Sequence, residues 1–146
     1  IKGELVCSKS YNIGTVRMLN DAVDFEEWKR LEADMKTLSE NYLGTNIIGS
    51  GGNINKLYRL AEKTDKKRQR ISVIVLKSLY EKLKLLSFEE RMQVFNLKPD
   101  RADVIVPASE IFLTIAEILH SEYIYVPVIG LADGIIDGLY AANRNR

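Results

Sequence analysis

The segment Gly49-Ser50-Gly51-Gly52-Asn53 holds the residues best suited to chemistry. It follows the short apolar run Thr45-Asn46-Ile47-Ile48, which reads as a buried strand, and leads into Ile54, Leu57, Tyr58, Leu60 and Ala61, whose spacing is helical. Strand, glycine loop, helix is therefore the expected order. Such a junction leaves backbone N–H groups free with the positive end of a helix dipole behind them, and the missing side chains let a phosphate approach. A tight strand-to-helix turn needs the same glycines to reach positive φ, so the loop alone does not decide between an anion site and a structural turn. It matches neither GxxxxGK[ST] nor GxGxxG.

Two arginines are candidates to work with this loop. Arg101 stands between a turn at Pro99-Asp100 and an expected strand at Val104-Ile105-Val106, and Arg17 follows Gly14-Thr15-Val16 at the end of another. Open α/β sheets bind ligands at strand ends, where a guanidinium can clamp a phosphate with two parallel hydrogen bonds. A surface ion pair is the competing role for each. The basic run Lys66 to Arg70 lacks interleaved aromatics and reads as a solvated loop, and Asp133 in Gly130-Leu131-Ala132-Asp133-Gly134 reads as a helix cap. No pair of carboxylates at expected strand ends resembles an acid/base dyad. One cysteine, Cys7, and one histidine, His120, argue against a disulfide framework, a structural zinc site and a Ser-His-Asp or Cys-His hydrolase.

The elements that must position these groups follow from periodicity. Residues 4–11, ending at Gly14, are expected as a strand and turn. Asp24 and Glu27 resemble a capping box, opening a long amphipathic helix over roughly 24 to 41 that carries Trp28, Leu31, Met35 and Leu38 and stops at Gly44. Lys63 to Arg70 is a polar connection. Ser72 caps a helix with Val73, Leu76, Leu79, Tyr80 and Leu83 on one side, and Ser87-Phe88-Glu89-Glu90 opens a short helix to about Phe95. Ser109 begins a helix with Ile111, Ile115, Ile118 and Leu119 inward, Tyr123 to Val126 is a strand, and a last helix holds Ile135, Ile136, Leu139 and Tyr140. Strands near 47, 105 and 125 joined by helices imply parallel pairing and an α/β domain.

The chain's 146 residues, 46% hydrophobic and 28% charged, make one ordinary globular domain without internal linkers or repeats. A net charge of +1 gives no global field to recruit nucleic acid or an anionic membrane. No apolar run reaches the roughly 18 to 20 residues of a bilayer span, and the first ten residues lack a secretory signal, so a cytoplasmic location is expected. The first residue is Ile rather than Met, which suggests an excised domain or a beginning not included here.

Together, four segments in order resemble the exopolyphosphatase and guanosine pentaphosphate phosphohydrolase (Ppx/GppA) family. Ser10-Tyr11-Asn12-Ile13-Gly14-Thr15-Val16-Arg17 is similar to its S-x-x-x-G-A-V-R segment, and Gly49 to Ile54 to its second glycine loop. Arg101 to Ala108 is similar to its E-R-A-D-x-I-x-x-G segment, and Gly130 to Ile136 to its G-L-R-D-G-I-L. Two departures stand out: Ala132 in place of the usual arginine, and Pro99-Asp100 in place of the glutamate before Arg101.

The resemblance implies an incomplete ribonuclease H-like (actin-like ATPase) domain, with a mixed, mostly parallel sheet flanked by helices. Residues 1–146 would be the second half of the phosphatase unit without its first two strands. It further implies a Mg²⁺-dependent removal of the terminal phosphate from polyphosphate or guanosine pentaphosphate, with the catalytic glutamate and main metal ligands in a first domain. Gly49, Ser50, Gly51, Gly52, Asn53, Arg17 and Arg101 are then the phosphate-binding candidates, and the fragment alone is expected to be inactive. A non-catalytic guanosine polyphosphate-binding regulator is the alternative that Ala132 keeps open, and a kinase relative of the same fold group ranks last. Without strands 1 and 2, residues 4–10 are expected to move beside the strand at 45–48, or an open edge to pair with a second copy in a homodimer.

Overall fold

The computed structural model describes residues 3–127. Its helices are α1 (Thr15–Leu19), α2 (Phe25–Asn41), α3 (Gly52–Leu60), α4 (Val73–Leu85), α5 (Phe88–Val94), α6 (Pro99–Ala102) and α7 (Ile105–Ile118). Strands β1 (Ile47–Ile48), β2 (Arg70–Ser72) and β3 (Tyr123–Tyr125) form one sheet in the order β1-β3-β2. Ile47 lies opposite Ile124 in the parallel β1–β3 pair, and Ile71 opposite Ile124 in the antiparallel β2–β3 pair. The domain is α/β with a mixed sheet and packed helices, as the sequence implied.

Period-2 alternation divides the sheet. Ile71 and Ile124 are fully buried on one face, where Ile54 and Leu57 of α3, Leu76 and Leu83 of α4 and Ile105 of α7 complete the core. Each such side chain contributes on the order of 1.5–3 kcal/mol by leaving water. The buried residues of α7 include the small Ala108 and Ala116, and α4 packs along this helix. On the opposite face of the sheet, Arg70 lies 3.7 Å over the Tyr123 ring and donates to Asp65 Oδ2 at 3.1 Å and to the Tyr125 hydroxyl at 3.3 Å. Helices α1 and α2 pack on α7, with the half-buried Trp28 of α2 lining a cleft beside Met18, Val106 and Pro107.

Capping signals locate three helices. Asp24 accepts from the Glu26 N–H, Ser72 from Val75 N–H, and Ser87 with Glu90 closes a reciprocal capping box. Asp24 and Glu27 do not form the expected box. Glu27 instead accepts from the Asn12 N–H at 2.8 Å and from Arg30.

Several expectations are overturned. Residues 4–11 form no strand and do not lie beside β1. Their partners are side chains of α2: Lys9 and Tyr11 donate to Asp34 at 2.7 Å each, and Arg30 donates to the Ser10 carbonyl at 2.6 Å. Arg17 therefore sits in a helix, not at a strand end. Val104-Ile105-Val106 is not a strand either, because α7 starts at Ile105, four residues before Ser109. Pro107 falls in its first turn, where no intrahelical N–H is required, and of the apolar run Ile105 is buried while Val104, the N-cap, and Val106 are half-buried. Ile111, Ile115, Ile118 and Leu119 are only half-buried, while Ser109 is fully buried and donates to the Ile105 carbonyl at 2.8 Å. β2 is a strand that was not expected: it starts at Arg70, the last residue of the expected polar connection, and runs antiparallel to β3. The segment Gly130 to Gly134 and the last expected helix lie outside the described residues.

Candidate functional site

The glycine loop joins β1 to α3, and its three glycines stand in different surroundings. The Gly49 N–H donates to the Tyr125 carbonyl at 2.8 Å, extending the β1–β3 ladder. A Cβ on Gly49 would lie 2.9 Å from Ile54 Cγ1 and 3.2 Å from Phe112 Cε1, so this glycine is packed into the core rather than turned to a ligand. Ser50, Gly51 and Gly52 are exposed. Gly51 is the N-cap of α3 with φ +108°, a left-handed conformation that side chains disfavour. The N–H groups of the first turn of α3, from Gly52 onward, have no intrahelical acceptors and form the positive end of that helix.

Arg101 covers this end. It lies on α6, whose first residue, Pro99, is pre-set for a helix start, and its guanidinium reaches back to α3. Nη1 donates to Asn53 Oδ1, and Nη2 lies 2.6 Å from where a Gly52 Cβ would be. Any side chain at Gly52 would displace the guanidinium. A cation at the positive end of a helix is electrostatically unfavourable by itself, typically about 0.3–1 kcal/mol, and becomes favourable when an anion sits between the two. Loop, helix start and arginine thus converge on space suited to an oxyanion.

The site continues beyond these residues. Gly52 and Arg101 line a cleft of about 510 Å³ with Lys56 and Arg59 of α3 and with Lys98 and Asp100 at α6. Neither Lys56, Arg59, Lys98 nor Arg101 has an ion-pair partner among the described residues, whereas Lys9, Arg30, Arg70 and Lys82 do. Asn55 also lines the cleft, and its Oδ1 is buried without a hydrogen-bond partner. Sequence reasoning missed Lys56, Arg59 and Lys98. The spacing of Gly52, Lys56 and Arg59 at i, i+4 and i+7 could have found two of them, since it puts them on one helix face.

Arg17 is exposed on α1, where its charge helps hold the Glu27 carboxylate below its ordinary pKa, behind hydrogen bonds from Arg30 and the Asn12 N–H. It does not line the cleft. Among the described residues no three of His, Cys, Asp and Glu converge as metal ligands, and Asp100 is the cleft's one carboxylate. Mg²⁺ takes six oxygen ligands, so these residues by themselves do not make a magnesium site. No helix among the described residues is long and apolar enough to cross a membrane.

The Ppx/GppA phosphatase family model matches residues 1–142. Two crystal structures of the Aquifex aeolicus Ppx/GppA phosphatase, one of them a type II variant, are similar at 26% identity each, with TM-scores of 0.63 and 0.64. They cover 89% and 88% of this chain, and it covers 47% of each of theirs. An exopolyphosphatase from Cytophaga hutchinsonii shares the fold, at TM-score 0.75 and 17% identity over 97% of this chain and 52% of its own. The chain thus spans about half the length of these structures. No curated protein matches it significantly.

Proposed function

Because the chain belongs to the Ppx/GppA phosphatase family, we propose that it supplies the phosphate-gripping part of a phosphohydrolase that removes the terminal phosphate of polyphosphate or guanosine pentaphosphate. The observation that carries this reading is the Arg101 guanidinium held over the N-terminus of α3, with the exposed loop between β1 and the helix beside it. In the proposed complex, N–H groups of Gly51, Gly52 and Asn53 hold phosphate oxygens, and Arg101 offsets the charge that spreads over them as the P–O bond breaks. Gly49 and Ser50 shape the loop, and Arg17 acts only if the substrate extends across to α1. Water adds to the terminal phosphorus, and orthophosphate leaves the shortened chain. Positioning and electrostatic stabilisation are most of what phosphoryl transfer needs from a protein, and this cleft offers both.

The water-activating carboxylate and the Mg²⁺ ligands are assigned to the other half of the parent protein, so residues 1–146 alone are expected not to release phosphate. Ala132, where the family usually has an arginine, favours a second reading, a guanosine polyphosphate-binding regulator without turnover. Phosphate release by the full-length protein separates the two. Gly51→Val in that protein is expected to raise KM for polyphosphate and lower kcat, and unchanged values of both would make the loop structural and overturn the assignment.

A further inference from the structure

A cleft of about 480 Å³ opens at the end of the sheet away from the glycine loop. That loop follows the carboxyl end of β1, whereas this cleft is bounded by residues 42–46, which lead into β1, and residues 119–122, which lead into the parallel β3. It shares no lining residue with the cleft of Arg101. Tyr123 and Tyr125 stand two residues apart on β3, on the face opposite the buried Ile124, and both line it together with Arg70 and Tyr42. The Arg70 guanidinium lies 3.7 Å from the centroid of the Tyr123 ring and 5.9 Å from that of Tyr125, and it donates to Asp65 and to the Tyr125 hydroxyl. These bonds hold a flat cation and two rings in place, and all three tyrosines are half-buried, so a planar molecule has surfaces on which to stack.

Polar groups surround this platform. Ser121 lines the cleft, and its Oγ is buried without a hydrogen-bond partner. Asn46 and Glu122 are exposed, and their side chains make no hydrogen bond or ion pair among the described residues. One arginine and one glutamate line the cleft, and Asp65 already pairs with that arginine, so there is no excess of cations to hold a chain of phosphates. The arrangement suits an uncharged aromatic molecule whose ring edge carries N–H donors, and the volume is that of a small-molecule site.

We propose that this cleft binds an amino-substituted purine nucleoside, its base stacked among Tyr42, Tyr123 and the Arg70 guanidinium and its exocyclic amine donating to the Glu122 carboxylate. Asn46 and Ser121 are left for the ring nitrogens and the ribose hydroxyls. The site is separate from the phosphate site at the glycine loop, and the inference does not depend on that site. Tyr42 and Glu122 take part in the fold through backbone groups: the Tyr42 N–H donates to the Leu38 carbonyl, and the Tyr42 and Glu122 carbonyls accept from Thr45 Oγ1 and the Val73 N–H. Their side chains are therefore open to substitution, as thermal unfolding of the variants would verify.

The test is equilibrium dialysis of labelled adenosine, guanosine, inosine and uridine against the full-length protein. Inosine keeps the purine ring without the amine, and uridine lacks the purine. Adenosine or guanosine should bind about tenfold more tightly than inosine and uridine, and the tighter of the two identifies the base. An excess of pyrophosphate should leave this binding unchanged, because the two clefts are separate. Tyr42→Ala should weaken it about tenfold by removing a stacking ring, whereas Tyr42→Phe should bind as wild type does. Glu122→Ala should erase the preference over inosine. Absence of saturable binding by both aminopurines, displacement by pyrophosphate, inosine bound as tightly as the aminopurines, or affinity unchanged in a folded Tyr42→Ala variant would each overturn the proposal.

Discussion

Gly51 and Gly52 are neighbours with different reasons to be glycine. At Gly51 the backbone is left-handed, φ +108°, and open space surrounds the position, so a side chain there costs on the order of 1–3 kcal/mol through strain alone. At Gly52 the obstacle is the far end of Arg101, which can swing away. Gly52→Ala is therefore expected to change stability in urea by less than about 0.5 kcal/mol, yet to weaken phosphate or sulfate binding several-fold. Equal loss of stability and binding would show that the guanidinium is not the yielding partner. The loop was legible in sequence because glycines before a helical pattern are a local signal. The arginine's link to Asn53 was not, because it spans 48 residues and depends on how α6 packs beside α3.

At the level of elements, charged side chains of α2 (Asp34, Glu27 and Arg30) hold the N-terminal segment, which was expected to be a strand. Hydrogen bonds from Lys9 and then Tyr11 keep the Asp34 carboxyl below its ordinary pKa, and Arg30 and the Asn12 N–H do the same for Glu27. Burial and the bond to Asp34 push the Tyr11 phenol up to about 12. A carboxylate with a lowered folded pKa stabilises the attachment above its unfolded pKa, and that contribution is lost as pH falls through the folded value. Acidification below the ordinary carboxylate range should thus release residues 9–12 from α2 before the core unfolds, seen as a loss of amide protection at Asn12 relative to the intrinsic exchange rate at the same pH. Protection at Asn12 that outlasts that of the core would contradict this. These contacts were invisible in a sequence whose β-branched and aromatic residues suggested a strand. The start of α7 was misread for a related reason: Val104-Ile105-Val106 has strand-like composition, and burial on several sides erases the alternation that separates helix from strand. Capped helices with a clear polar face, α2, α4 and α5, were legible.

On the scale of the whole domain, the sheet ends at β1, whose outer edge has no partner among the described residues and whose Ile48 is 70% exposed. An apolar strand edge invites another strand. Purified residues 1–146 are expected to self-associate through it, with Ile48→Lys shifting the mass measured by light scattering to that of a monomer; a wild-type monomer would remove the basis for a homodimer. The family resemblance made an open edge at this strand legible but not what would cover it, since pairing is decided between segments far apart in the chain. The position of Trp28 has an optical consequence. It is the one tryptophan in 146 residues, and it lies in the cleft beside Met18, Val106 and Pro107, among residues separate from those that line the basic cleft. Its emission therefore reports the seating of α1 and α2 against α7. An anion that fills the basic cleft leaves this fluorophore's surroundings as they were, so a binding titration followed by tryptophan emission stays flat while calorimetry registers heat.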